Sequence, residues 1–412
     1  MSEFGGRLVG NEIVEDPYPF YARLRRDSPV WPVPDTDAVL VSTWDLVAEA
    51  ASRVEDFSNN FRHALFSQDD GTVGVLNLGS GGAPDVFAGA DPPAHTIHRK
   101  LFLPALAQKK MELLEGEVSA LADELLDRLL AEDHADAATG LANPLPIRVI
   151  TERVIGFHDP DVAQTQRWVF GGSRMMGGRL RLDEIAAVGE EVGGMLPWVA
   201  AQLDAALAAS AGGDVLSAAA TGVRDGVLSR QEATFTLMVL VGAGGETTTS
   251  LIGNAIRILA ERPSLQVELR ADLSLVPAFV EEVLRFESPF RFHPRTARRA
   301  VEFGGIDIPK GAMVALLWGA ANRDETVFER PDDIVLDRPN APLHFGFGRG
   351  IHHCVGAPLA RLEARVVLSK LLGRTTFFRL DPDRPPRWTD NLWARRHERL
   401  PVVLNSPGGP TR

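Results

Sequence analysis

The chain has 412 residues, 45% of them hydrophobic and 24% charged, a composition that describes an ordinary globular protein with ample material for a core. Its formal net charge of -12 argues against a general nucleic-acid binder, which needs a dominant basic face. The single cysteine excludes an intramolecular disulfide and fits a reducing cytoplasm.

The first twenty residues carry Glu3, Glu12, Glu15 and Asp16 without an apolar stretch of signal-peptide length, so no export signal is expected. AVLVST near residue 40 predicts a short strand. From Gly71 to Asp91 the glycines Gly71, Gly74, Gly79, Gly81, Gly82 and Gly89 predict irregular backbone and a mobile cover over a site. Residues 109–134 place Leu113, Leu114, Val118, Leu121, Leu125 and Leu129 on one helical stripe. Ser229 and Glu232 form a capping box that opens a helix running to Pro263, about 50 Å long at 1.5 Å per residue. Three glycines near its middle, Gly242, Gly244 and Gly245, cost on the order of 1 kcal/mol each relative to alanine, so something passes close by or the helix is locally opened. Its uncharged run Ala233 to Gly245 is too short to span a bilayer, which takes roughly 18 residues or more.

Strand signals continue with VEFGGIDI (301–308), two strands around a Gly304-Gly305 turn, then MVALLW (313–318) and PVVL near residue 402. Internal repeats and composition breaks are absent, and only 405–412 reads as a disordered tail. The pattern predicts a mainly α protein, a large helical body with a small β portion, forming one domain over residues 1–404.

The cysteine stands in HFGFGRGIHHCVGAPLARLEARVVL (344–368), approached by Gly346, Gly348 and Gly350. Alternate glycines allow close approach of a flat ligand or another backbone. A helix beginning near Ala357-Pro358 offers free N–H groups and partial positive charge to the sulfur. A Cys-His hydrolase is disfavoured, because adjacent residues rarely make a nucleophile-base pair, and a zinc site lacks further thiols.

Phe347-Gly348-Arg349-Gly350-Ile351-His352-His353-Cys354-Val355-Gly356 matches the FGxGxHxCxG haem loop and resembles the cytochromes P450. Further stretches extend the resemblance over roughly residues 15–404: AGGETT (243–248) on the long helix, Glu282 and Arg285 as the ExxR pair, Ala321 to Glu325, and Arg338. The actinobacterial-type branch is suggested by HTIHRKL and LLWGAANRD. Departures are modest: His353 at a variable position, Gly245 for a frequent histidine, Ile334 for a common phenylalanine.

The resemblance implies the P450 fold and haem b held by the thiolate of Cys354. Phe347 and Gly356 of the loop and Ala243 of the long helix would contact the cofactor, while His95, Arg99, Arg295 and His352 would hold its propionates. Thr247 would hydrogen-bond dioxygen and Glu246 would connect that site to solvent protons. The implied reaction inserts one oxygen atom of dioxygen into a lipophilic molecule. Val239, Phe290, Phe292, residues 170–176 and Trp393 are candidate pocket walls. A non-catalytic haem-thiolate sensor and a peroxide-driven enzyme are the alternatives; neither needs the Glu246-Thr247 pair. Electrons would come from a separate ferredoxin and its reductase, docking on Arg99, Lys100, Lys109, Lys110, Arg349, Arg361 and Arg365, with Glu363 as the main opposing charge. The protein is expected to be a cytoplasmic monomer without a membrane span.

Overall fold

A computed structural model describes residues 8, 10–60, 62–78, 84–209 and 212–405; Glu3, residues 79–83 of the expected cover and 406–412 of the expected tail lie outside them. Six helices position the site: α1 (Ala94–Phe102), α2 (Glu115–Ala131), α3 (Val162–Met176), α4 (Arg230–Glu261), α5 (Val276–Phe286) and α6 (Ala357–Arg374). The strands in chain order are β1 (Val30–Pro32), β2 (Ala38–Val41), β3 (Phe57–Ser58), β4 (His63–Ser67), β5 (Val73–Asn77), β6 (His293–Ala297), β7 (Val301–Phe303), β8 (Ile306–Ile308), β9 (Met313–Leu316), β10 (Phe377–Leu380), β11 (Arg387–Trp388), β12 (His397–Arg399) and β13 (Val402–Asn405).

The helix α4 crosses the largest apolar core, packing on α2's neighbours, α3 and α6. By length and composition it could cross a membrane, yet most of its apolar window is buried inside the protein, as befits a core helix. Ser229 and Glu232 exchange the two capping-box hydrogen bonds at its start. The helix is continuous through its glycines; packing explains Gly244 and Gly245, whereas a Cβ at Gly242 would meet nothing within 4 Å. A Cβ at Gly244 would stand 2.8 Å from Ile150 Cγ1, and one at Gly245 2.5 Å from Ile147 Cδ1. The element passing close by is therefore the helical segment around residues 147–150, where an α-helix ending at Arg148 continues as a wide helix from Val149.

Five strands form the main sheet in the order β1-β2-β9-β6-β3, all pairs antiparallel except β2 with β9. The β7–β8 hairpin turns on Gly304 and Gly305, both at positive φ, as the sequence predicts. Two expectations change. The leucine stripe of 109–134 breaks at Leu114 into Gln108–Leu113 and α2, and Leu113 is 80% exposed, because the break rotates it off the buried face. The glycine-rich segment from 71 also contains regular structure: β5 pairs with β4 in register Phe66 to Gly74, and a Cβ at Gly74 would collide with the Phe66 ring. Gly74 thus serves a tight strand pair, not an irregular loop.

Candidate active site

The glycine loop is held from below by a buried ion-pair cluster. Arg285 donates from Nε and Nη2 to Glu282 Oε1 and Oε2 at 2.6 and 2.9 Å, and Arg338 Nε adds a third bond to Oε1 at 3.0 Å. Arg285 Nη1 donates to the Asn322 carbonyl at 3.2 Å, while Asn322 Oδ1 accepts from the Phe345 N–H at 2.7 Å. The brace therefore reaches the loop through Asn322. In the loop, Gly348 and Gly350 take positive φ, and a Cβ at Gly346 would press on the Leu284 carbonyl at 3.1 Å. Three glycines, two different causes.

The loop brings Cys354 to the floor of a chamber of about 1340 Å³, counting the part open to solvent. The sulfur has open surface, but that surface faces the chamber. Burial pushes the thiol up from its ordinary range, and the Gly356 and Ala357 N–H groups at the start of α6 pull it back. Opposite the loop runs α4, where Ala243 is exposed to the chamber in the middle of a mostly buried helix. Thr247 also lines it, donating its hydroxyl to the Ala243 carbonyl at 2.7 Å and leaving the oxygen lone pairs for a ligand.

One rim of the chamber collects bases. His95 and Arg99, one turn apart on α1, meet His352 of the loop and Arg295 of β6, and all four line the chamber. The His95 and His352 rings lie 4.3 Å apart, and the Nε2 atom of each is buried without a protein partner. Alternation along β6 puts His293 on the same face as Arg295, whose Nη1 lies 2.7 Å from His293 Nδ1. Sequence reasoning missed His293; the period of two along HPRTA is the signal that could have found it. Among the described residues no carboxylate lines the chamber. Burial first, then the neighbouring positive groups, push His352 down to about 3, and burial pushes Arg295 down to about 10. Such a cluster is built for an anion.

A family profile described as Cytochrome P450 matches residues 209–395. The chain is 39% identical to "Cytochrome P450 144" of Mycobacterium tuberculosis over 398 residues, 96% of this chain and 91% of that protein. It is 32% identical to the 6-deoxyerythronolide B hydroxylase of Saccharopolyspora erythraea, covering 95% of this chain and 96% of the other. The chain belongs to the cytochromes P450. The solved structure of CYP109E1 from Bacillus megaterium in complex with testosterone superposes on this P450 with a TM-score of 0.85 at 26% identity, covering 95% of this chain and 98% of that one. The protein is a haem-dependent monooxygenase of lipophilic substrates.

The residues present fit a haem. The chamber lies between the cysteine loop and α4, with mostly apolar walls and a basic rim, which suits a flat apolar group bearing anionic substituents. A soft sulfur donor faces it, and the rim cluster of His95, Arg99, His293, Arg295 and His352, with no acid beside it among the described residues, suits two carboxylates. Phe347 and Gly356 line the chamber with the sulfur.

Other expectations are refined by position, and those for Phe170, Phe292, Trp393 and Glu363 are corrected. Glu246 does not line the chamber: it is buried on another face of α4, where Oε1 accepts from Arg396 Nε at 3.0 Å and Oε2 from Ser173 Oγ at 3.1 Å. Phe290 lines the chamber, but Phe292 faces a separate apolar pocket, and Trp393 stands behind Phe290 with ring planes 4.1 Å apart at the centroids. Phe170 packs under the Arg396 guanidinium instead of facing substrate. Glu363 is no opposing surface charge, because the turn of α6 carries it inward to 1% exposure, and burial pushes its carboxyl well above the usual range. The basic patch is thinned as well. Arg361 pairs with Glu281 at 2.6 Å, Arg365 with Glu115 at 2.8 Å, and Lys110 donates to the Gly213 carbonyl at 2.6 Å.

Proposed function

We propose that Cys354 supplies the thiolate to the haem iron, and that His95, Arg99, His293, Arg295 and His352 hold the propionates. The observation that carries this reading is the inward-facing sulfur of the sole cysteine on the floor of a chamber whose rim, among the described residues, gathers bases and no acid. Haem so ligated supplies dioxygen binding and O–O cleavage. The protein's part is orientation and proton supply. Thr247 donates its hydroxyl to the Ala243 carbonyl and so holds its oxygen open at the chamber wall for a bound ligand, and Glu246, its neighbour in sequence, supplies protons after leaving its contacts with Arg396 and Ser173. Val239, Leu240, Phe87 and Phe290 give the substrate apolar walls, which favour a molecule with few polar groups on the reacting side.

A separate ferredoxin delivers the electrons to the side of the chain nearest the sulfur. Lys100 and Lys109 are exposed there, and Arg349 lies over the Trp44 ring, so these three carry the charge of the docking face. The protein acts as a cytoplasmic monomer, with residues 1–404 as one domain. The reduced carbon-monoxide complex tests the assignment: the red-shifted Soret band of thiolate ligation is expected in the native protein and lost in Cys354→Ser. Retention of that band in the variant refutes the ligand. A lipophilic library screened for haem spin-state shifts then defines the substrate.

A further inference from the structure

We infer that the buried polar seam along one flank of α4, from Glu246 to Glu261, is a hydrated proton route from solvent, with Arg396 and His397 positioning its water molecules. The inference rests on the proposed role of Glu246 and names the route that role requires. Glu246 faces away from the chamber, so its protons must arrive on the side of α4 where its carboxyl lies. At 3.6 residues per turn, Ser250, Gly253, Arg257 and Glu261 continue the same stripe. The C-terminal segment lies along it in register. Arg396 meets Glu246; the Arg395 carbonyl accepts from Asn254 Nδ2 at 3.1 Å; a Cβ at Gly253 would stand 3.7 Å from His397 Cδ2; and Arg257 lies over the Trp388 ring.

This seam holds an excess of unanswered polar atoms. Among the described residues fifteen buried side-chain polar atoms lack a protein partner, and six of them lie here: Thr249 Oγ1, Asn254 Oδ1, Arg257 Nε, Thr389 Oγ1, and both ring nitrogens of His397. Buried polar atoms are rarely left unbonded, and ordered water is their usual partner where protein atoms are not. Trp388 stacks on His397 at 3.7 Å and fixes its ring, so the two nitrogens point in set directions. Burial, then the positive charges of Arg257, Arg395 and Arg396, hold this imidazole neutral, with Glu287 opposing them. A neutral imidazole offers one donor and one acceptor, and can pass a proton by exchanging tautomers. At the far end Glu261 is 36% exposed and pairs with Arg257 at 2.6 Å, giving the seam an outlet to solvent about 22 Å from Glu246. One proton enters there for each proton Glu246 releases; no electron moves and no other bond changes.

The test uses the haem-loaded enzyme and two readouts. A high-resolution crystal structure should show ordered waters bonded to His397 Nδ1 and Nε2 and to the Thr249 and Thr389 hydroxyls; a dry seam overturns the inference without any variant. In His397→Phe, which keeps a flat ring on Trp388 but has no nitrogen, turnover should fall about tenfold or more with an enlarged solvent deuterium isotope effect. His397→Gln should restore part of both. Native turnover and isotope effect in His397→Phe overturn the route. Comparison with Glu246→Gln separates the two levels: slow Glu246→Gln beside native-like His397→Phe removes the route alone, whereas native-like Glu246→Gln removes the role of Glu246 and the route with it.

Discussion

Replacing Glu282 by glutamine changes one atom and tests the brace beneath the cysteine loop. The carboxylate is 1% exposed and accepts four hydrogen bonds: two from Arg285, one from Arg338 Nε at 3.0 Å and one from the Val335 N–H at 2.9 Å. An amide has one oxygen, so whichever way it is turned, its NH₂ must face two donors. Two bonds to a charged group are lost, at roughly 1.5–3 kcal/mol each, giving about 3–6 kcal/mol. The cost of leaving Arg285 and Arg338 without a counter-charge, about 3–5 kcal/mol for a broken buried pair, points to the same range. Against a total stability of about 5–15 kcal/mol, most of the folded population at 37 °C is at stake. Urea unfolding followed by far-UV circular dichroism, with Arg338→Met and the double variant completing a cycle, measures the loss and its coupling. A loss below about 1 kcal/mol would refute the reasoning, since it would mean that water or a shifted backbone satisfies the four donors.

Thr247→Ala should keep haem content yet divert reducing equivalents to hydrogen peroxide, measured as peroxide formed per electron pair consumed; unchanged coupling would remove Thr247 from the reaction. Arg99→Ala with Arg295→Ala should lower haem retention at equal protein recovery, read as the Soret-to-280 nm ratio after apomyoglobin challenge, and full retention would refute the propionate clamp. Burial pushes the Glu281 carboxyl up, but Arg361 and His344 outweigh it and bring it down to about 2. A depressed carboxyl stabilises the fold above its unfolded value near 4.5 and loses that contribution as pH falls towards about 2, so Glu281→Gln should flatten the acid-unfolding curve over that window. A curve of unchanged slope would show that the pair contributes nothing. Lys100→Glu with Lys109→Glu should reduce ferredoxin-supported turnover at limiting ferredoxin and weaken its salt dependence; a native response would place docking elsewhere.

The parts of the fold written in local pattern were legible. A capping box, a Gly-Gly turn between short strands and the cysteine loop depend on a few adjacent residues, and each was found where the chain predicts it. Facing was harder. Glu246 and Thr247 are neighbours in sequence, yet about 100° of helix rotation sends one to the chamber and the other to Arg396, a residue 150 positions away. The same rotation buries Glu363, which reads as a surface charge in ARLEAR. Charge pairing was illegible for a related reason: Arg361 and Arg365 look free until tertiary structure supplies Glu281 and Glu115.

The contact of Gly245 with Ile147 has a bearing on how this enzyme could be retuned, because neither residue lines the chamber. Since that glycine lets α4 settle against its neighbour, the distance between the wall carrying Ala243 and the floor carrying Cys354 is governed from outside the chamber. A methyl group at Gly245 would move the wall inward, and a smaller residue at Ile147 would let it retreat. Selection, in the laboratory or in a lineage, can thus narrow or widen the range of accepted molecules while every residue that touches them stays the same.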